Sequence, residues 1–481
     1  MEEREQMSDH QTPQIPDALV EAAKTSAARK KPARLASVRV SPGGYFAATC
    51  ALSFASITLF RLEQNQASLI VLLAAWLIIP ALAFLDRLDF DGATLSRRGL
   101  VAIMFRLLRG RSLKLKVEDI ERVETSALRT LRRGGRVHYR YRTEITGKDL
   151  EFIFASGGKS YRKMIHALLP LIPEVKLDAR TAELRDFLCD KPSLNANINQ
   201  LHLAPSSVLD QATMDFAHRD RKSIRHQRSL AQPAAQTTDD LERGRLLRLA
   251  ANELRVSGRL RESAEAFRRA LLVMPKDGWL IYEFARLLRS QASARSDARL
   301  LARSRAALRL ATSRSKDDST LLTRIGESFF EHGEMSYATR ALQQVLEQNP
   351  RAFRAHVSLA EIALRNGKLA HVVHNFTDAA AIAPDPALAR YAEREAEYYF
   401  KLNSDDDYLA SELRRMNWLQ NLQSARRIAA RMTFLSILLI IVGPFIEDTI
   451  GEIGWALATS AVIAWTGVRL ASRFFIQRRS E

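Results

Sequence analysis

Cysteine is almost absent: Cys50 and Cys189 are the only two in 481 residues. That excludes a disulfide framework and a cysteine-based zinc ribbon. Cys50 falls in an apolar run and Cys189 in a polar, helical-looking stretch, so both read as structural. Catalytic signatures are missing as well. No H-E-x-x-H, G-x-S-x-G, G-x-G-x-x-G or spaced Cys/His set occurs, so the chain is expected not to be an enzyme and to need no cofactor. Gly157-Gly158-Lys159-Ser160 ends like a phosphate loop. The earlier glycine that such a loop needs is Ile153 here, inside a strand-like segment, so Ser160 is expected simply to cap a helix. His371 and His374 are the only close histidine pair, and no carboxylate or thiol is evident beside them; no metal is expected.

Negative charge is also short, with 54 Asp and Glu against 72 Lys and Arg, a net +18. Four apolar runs, at 45–60, 67–85, 432–446 and 453–472, carry no ionisable residue at their centres. The second is nineteen residues long; the others need snorkelling flanks such as Arg61, Arg431 and Arg469 to reach across a bilayer. Paired by short polar turns, they predict two transmembrane hairpins, at 43–86 and 432–476. A signal peptide does not fit, because some forty mostly polar residues come first. Arg29, Lys30, Lys31, Arg34 and Arg39 precede the first span; Arg426, Arg427 and Arg431 precede the third; Arg473, Arg478 and Arg479 follow the fourth. The turn holding Glu447, Asp448 and Glu452 has no base. The positive-inside bias then puts both termini and the whole middle in the cytoplasm. Ala47, Ala51 and Ala55, like Ala456, Ser460 and Ala464, recur every fourth residue, a spacing that lets helices approach closely.

After a basic tail at 1–42 and the first hairpin, residues 88–190 read as a basic β-rich module. Leu113 to Val117, Ile120 to Val123, Val137 to Thr143 and Leu150 to Phe154 alternate like strands, and Ser160 to Leu169 forms an amphipathic helix. Strands closed by one helix after two spans resemble the bacterial pleckstrin-homology-like domains of small membrane proteins. The segment from Val117 to Val123 stands where that family has an I-x-x-I-x-x-V-like strand. Between Arg97 and Arg142 lie fourteen Lys or Arg against four Asp or Glu. So basic a surface, tethered at the membrane, is expected to meet anionic lipid headgroups, with Arg129, Arg132, Arg133 and Arg136 foremost. Nucleic acid is not an expected partner, since no recognition helix, aromatic RNA-binding pair or zinc site accompanies the charge.

A polar linker at 195–240 leads to repeats. Pro350 and Pro384 are 34 residues apart, as are Gly333 and Gly367. Leu322, Gly326, Phe329, Gly333, Ala338, Leu342 and Pro350 match positions 4, 8, 11, 15, 20, 24 and 32 of a helix-turn-helix unit that resembles the tetratricopeptide repeat. Leu359, Ala360, Gly367, Phe376, Ala379 and Pro384 follow in register, and Gly258, Phe267, Ala270 and Pro275 fit an earlier unit. The 75 residues from Pro275 to Pro350 predict a degenerate unit between them, with about seven extra residues near Ser290 to Ala298. The expected array with its cap covers 240–404, a connecting helix covers 405–431, and a cytoplasmic tail covers 477–481.

The resemblance implies a concave groove lined by the first helices, holding Arg245, Arg248, Asn252, Arg255, Trp279, Tyr282, Arg286 and Arg289, then Thr320, Thr323, Glu327, Phe330, Arg354, Val357, Glu361 and Leu364. Its first half suits an acidic peptide or a C-terminal carboxylate. Arg248 and Asn252 take two places of a carboxylate clamp, but Glu283 stands where that pattern wants Asn. The expected fold is therefore a multi-domain membrane protein, mainly α, with a repeat solenoid, two transmembrane hairpins and a small α+β module. The expected function is a scaffold or assembly factor at a bacterial inner membrane that holds a protein partner. The alternative is a four-span conduit regulated by its cytoplasmic parts, against which the uncharged span centres speak.

Overall fold

The computed structural model describes residues 34–40, 43–99, 102–103, 106–107, 112–131, 137–148, 150–156, 158–201, 238–315, 317–445 and 447–476. Arg132, Arg133 and Arg136, three of the four residues expected to face lipid, lie outside that set, as does most of the 195–240 linker. The protein is mainly α-helical with a small two-sheet β region.

Helices α1 (Gly43–Arg61) and α2 (Asn65–Leu85) form the first hairpin. Among the described residues, α2 is the one helix long and apolar enough to cross a membrane by length and composition, at 21 residues. The first expected span is a 19-residue helix, and the third and fourth are absorbed into longer helices described below. In α2 the backbone widens to a π-helical turn at Ala74–Ile78, just ahead of Pro80. Proline has no N–H to give its own turn, and a π turn lets the neighbouring bonds shift around it. Ser56 and Ser68 tie the two helices: each hydroxyl donates to the other residue's carbonyl at 2.8 Å, and both side chains are buried.

Among the described residues the module has seven strands: β1 (Ala36–Arg39), β2 (Arg87–Phe90), β3 (Thr94–Arg98), β4 (Lys114–Lys116), β5 (Arg122–Leu131), β6 (Val137–Gly147) and β7 (Leu150–Ala155). They form two antiparallel sheets, β1-β2-β3-β4 and β5-β6-β7. Val40 bridges to Phe154 between the sheets. Alternate residues of both sheets, among them Phe90, Leu95, Leu115, Ile145 and Phe154, bury against Tyr161, Met164, Ile165 and Leu168 of helix α3 (Lys159–Leu168). Gly158, with φ +155°, and not Ser160, sits at the N-cap of α3, and no side chain caps it. Helices α4 (Ala179–Phe187) and α5 (Lys191–Gln200) follow.

Strand β1 corrects the expected boundaries. It pairs with β2 through Ala36↔Phe90 and Val38↔Leu88, so the module begins before the first hairpin and the hairpin is an insertion between two paired strands. The junction is stiff. Asp86, with no exposed surface, accepts from Tyr45 Oη at 2.6 Å and from Arg97 Nε at 2.9 Å and Nη2 at 2.6 Å. Helix, strand and module thus share one buried carboxylate.

The array comprises four antiparallel helix pairs: α6 (Thr238–Val256) with α7 (Leu260–Val273), α8 (Gly278–Arg295) with α9 (Ala298–Arg314), α10 (Ser319–Glu331) with α11 (Met335–Gln348), and α12 (Phe353–Arg365) with α13 (Leu369–Ile382). Gly258, Gly333 and Gly367 take positive φ at three of the turns, and Ser296 at φ +54° takes the fourth. The extra residues of the second unit form no loop. They lengthen its helices to 18 and 17 residues, against 13 and 14 in each of the next two units. Gly326 shows why the eighth position is small, since a Cβ there would lie 2.8 Å from Leu342 Cγ on the partner helix. Helix α14 (Pro386–Ser404) packs on the last pair through Leu388, Ala392 and Tyr399.

Helix α15 (Asp406–Val442) then runs 37 residues, about 55 Å at 1.5 Å per residue, from the array into the third apolar run. It returns as α16 (Asp448–Ile476). The close-packing face differs from the expected one. Ala456, Ser460 and Ala464 are exposed, whereas Gly451, Gly454, Ala458 and Ala461 are buried. A Cβ on Gly454 would stand 3.0 Å from Ile440 N of α15. The two hairpins meet where the Phe54 and Trp455 rings lie 5.8 Å apart and Arg61 stacks 4.8 Å over Trp455.

Candidate functional site

The module packs on the face of the array formed by the first helix of each pair. Helix α4 and the turn before it lie against α6, α8, α10 and α12. Glu183 on α4 is the central contact. Arg255 Nη1 donates to Glu183 Oε2 at 3.0 Å and Arg286 Nε pairs with Glu183 Oε1 at 2.8 Å. All three side chains are at most 11% exposed. Burial pushes the Glu183 carboxyl up, but the Arg255 and Arg286 charges and hydrogen bonds outweigh it and hold the group at about 2. A carboxylate so placed stays ionised because two guanidinium forks satisfy its lone pairs.

Glu174 makes a second contact. It accepts from Arg324 Nε of α10 at 3.1 Å and from Arg185 Nη2 of α4 at 3.2 Å, while Arg354 Nη1 of α12 donates to its backbone carbonyl at 3.2 Å. Burial raises the Glu174 carboxyl, and the Arg324 and Arg185 bonds pull it below its ordinary value. The exchange runs the other way too. Module Arg122 Nη2 reaches Glu361 Oε1 at 3.1 Å, and module Lys176 Nζ reaches Asp385 Oδ2 at 3.0 Å. Arg394 on α14 donates to module Glu121 at 2.8 Å. Apolar contact joins the same seam. Tyr141 Oη donates to the Val256 carbonyl at 2.6 Å, Val256 belongs to the module's core, and Val137 belongs to the core of the first helix pairs.

The expected groove residues divide accordingly. Arg255 and Arg286 hold the module. Tyr282 is buried, its hydroxyl 3.5 Å from Ser328 Oγ, and Arg289 pairs with Glu331 of the array itself. Burial and the neighbouring Arg286 and Arg180 charges lower the Arg289 guanidinium to about 10. The clamp is spent internally: Arg248 donates to Glu283 at 2.6 and 2.8 Å, and Asn252 Nδ2 donates to the same carboxylate at 2.8 Å. Trp279 donates to Asp318 at 2.8 Å and lies under both Arg248 and Arg324. Arg245 is exposed, apart from this set. Farther along, Arg354 pairs with Glu327 at 2.7 Å. Beside Arg122 a cavity of about 260 Å³ remains between module and array, walled by Phe330, Val357, Leu388, Tyr391, Glu327 and Glu361.

Arg129, one of the residues expected to face lipid, is exposed and donates to Ser293 Oγ at the end of α8, so the hairpin of β5 and β6 reaches the array there. Against the expectation that no carboxylate stands beside the histidine pair, Asp378, four residues on along the same helix, lies 3.5 Å from His374 and 3.9 Å from His356. Among the described residues no group of three His, Cys, Asp or Glu is arranged to hold a metal. Glu174 and Glu183 were missed because each sits in an unremarkable polar stretch. Only the fold aims them at arginines about seventy to one hundred and fifty positions away. Comparison with models of known protein families and with curated proteins finds no match to this chain.

Proposed function

We propose that this chain is a membrane-anchored interaction protein: a scaffold or assembly factor whose tetratricopeptide-like array recognises carboxylate-bearing protein segments at the cytoplasmic face of a bacterial inner membrane. One observation carries it. Arginines from three successive first helices, Arg255, Arg286 and Arg324, converge on carboxylates of a separate module. Such a face recognises charge geometry and needs no chemistry of its own. The membrane part of the proposal rests on α2 and on the side chains around it. Phe46, Trp76 and Phe434 are 71%, 63% and 78% exposed, and large exposed apolar residues crowd the two hairpins. Four spans, with both termini inside and the turns near Gln64 and Ile450 outside, would cover those faces with lipid. The pleckstrin-homology-like module then sits at the inner leaflet, where its basic surface meets anionic headgroups.

The test is capture from native membranes with the full-length chain, compared with Arg255→Glu and Arg286→Glu variants. A reproducible protein partner that is lost with the charge reversals is expected. Capture of nothing by the wild-type chain and by variants with an emptied groove would sink the proposal.

A further inference from the structure

We infer that the module is a ligand in cis that closes the array's concave face, and that the segment competing with it in trans is acidic, offering paired carboxylates to Arg255, Arg286 and Arg324. The inference rests on the interaction-protein reading above and names the partner chemistry and the gate of that same face.

Three observations support it. First, the groove's arginines are not idle: Glu183 occupies two of them and Glu174 a third, and these two acids are nine residues apart in one short stretch. They stand where a partner's carboxylates would stand. Second, charge is exchanged across the seam in both directions, with module acids on array bases and module Arg122 and Lys176 on array Glu361 and Asp385, beside the apolar contacts of Val137, Val175 and Val256. Desolvation offsets much of what a buried ion pair gains, so such a seam yields to a competitor that restores the same pairs. Third, packing across the seam is incomplete beside Arg122, where the 260 Å³ cavity separates the module's turn from Phe330 and Val357. Missing contacts make this the plane along which the two parts separate first.

The clamp residues bear on selectivity. Glu283 neutralises Arg248 and Asn252 from within, so the open cations of the face are those that now hold the module. A basic or neutral segment would take away the Glu183 carboxylate and leave Arg255 with Asn252 and Arg286 with Ser328 and the more distant Glu331, so it is disfavoured on that ground.

The experiment uses the full-length protein in lipid nanodiscs, with Cys50 and Cys189 replaced by serine and single cysteines introduced at Arg129 and Ser293 for a short bismaleimide. Its probe is a labelled synthetic peptide of residues 172–188 of this chain. Cross-linking is expected to be efficient, and added peptide is expected to lower its yield in a dose-dependent way. Glu174→Gln with Glu183→Gln should cut the yield several-fold and raise peptide affinity about tenfold or more, since the vacated arginines gain charged partners. The same two substitutions made in the peptide should abolish that gain. Arg122→Gln with Lys176→Gln loosens the seam while leaving all three arginines intact, and should act alike where the first variant fails to fold.

Cross-linking indifferent to peptide and to both variants overturns the inference. So does peptide binding of equal strength to open and wild-type protein, or binding that ignores the peptide's glutamates. If the open protein binds peptide but captures no membrane partner, closure stands and the interaction-protein reading falls. If capture succeeds while cross-linking never responds, the reading stands and closure falls.

Discussion

Gly258, Gly333 and Gly367 share one conformation, with φ of +86°, +77° and +71°, but not one environment. A Cβ at Gly333 or Gly367 meets nothing within 4 Å, whereas at Gly258 it would lie 2.3 Å from the Val137 carbonyl oxygen of β6. Gly333→Ala is therefore expected to cost about 1–2 kcal/mol, the left-handed backbone penalty alone. Gly258→Ala adds a backbone collision that only separation of hairpin and array relieves, so its drop in melting temperature should be at least about twice as large. Thermal melts of the two variants in one detergent would decide it; equal drops would show that the hairpin does not press on this turn. His332, at the end of α10, supplies a pH dependence. Burial and the nearby Arg289, Arg305 and Arg286 charges lower its imidazole to about 4 from an ordinary 6.5. The folded protein then binds fewer protons than the unfolded chain between those values. Stability contributed by neutral His332 is fully present above about pH 6.5 and is lost as pH falls through 4. A His332→Gln variant should lose less thermal stability than the wild type between pH 6.5 and 4.5. A loss as steep as the wild type's would remove His332 from the account.

Among elements, spacing decided the helix pairs and side-chain volume decided how closely they pack. Gly326 faces Leu342 at the crossing of α10 and α11, leaving no room for a Cβ. Gly326→Leu is expected to force the pair apart and destabilise by about 1–3 kcal/mol, the usual range for overpacking. Gly367→Leu, tested beside it, would carry only backbone strain. Retained stability in Gly326→Leu would mean that the pair repacks, contrary to the fixed register of Phe329, Ala338 and Leu342 in one core. The period of 34 made the last two units legible, because their helix lengths, turn glycines and closing prolines repeat, and the first unit shares the turn glycine and closing proline. The second, with Ser296 at its turn and no closing proline, was legible only from the distance between its neighbours. The strands β1, β2 and β3 were not so plain. β2 and β3 are four and five residues long, and β1 is separated from its partner by the whole first hairpin. Alternation over four residues carries too little signal, and pairing across an insertion leaves none along the chain.

For the whole molecule, the proposed topology makes a direct prediction. Reporter fusions at Gln64 and Ile450 should read the outer side, and fusions at Asp240 and Glu481 the cytoplasm. A fusion at Asp240 reading outside would overturn the orientation and, with it, the class of partner. Lipid binding belongs to this scale as well. The segment 88–190 lacks β1 and is not a complete folding unit, so a headgroup test needs the full chain. Arg129 is drawn toward Ser293, which turns that part of the basic hairpin toward the array.

The sequence by itself determined the periodic and compositional features: apolar runs, the 34-residue spacing, an excess of basic charge, and the order of β4 to β7 before helix α3. Each is a local or repeating pattern, readable because the hydrophobic effect and backbone geometry act the same way wherever the pattern recurs. It also marked the cations of the groove. What only the tertiary structure decided is what those cations touch. Glu174, Glu183, Arg122 and Lys176 carry no pattern, and their partners lie far along the chain: Arg255 and Arg286 for Glu183, Arg324 for Glu174, Glu361 for Arg122, and Asp385 for Lys176. Electrostatic pairing depends on distance in space and on exclusion of water, and neither is a function of position in sequence.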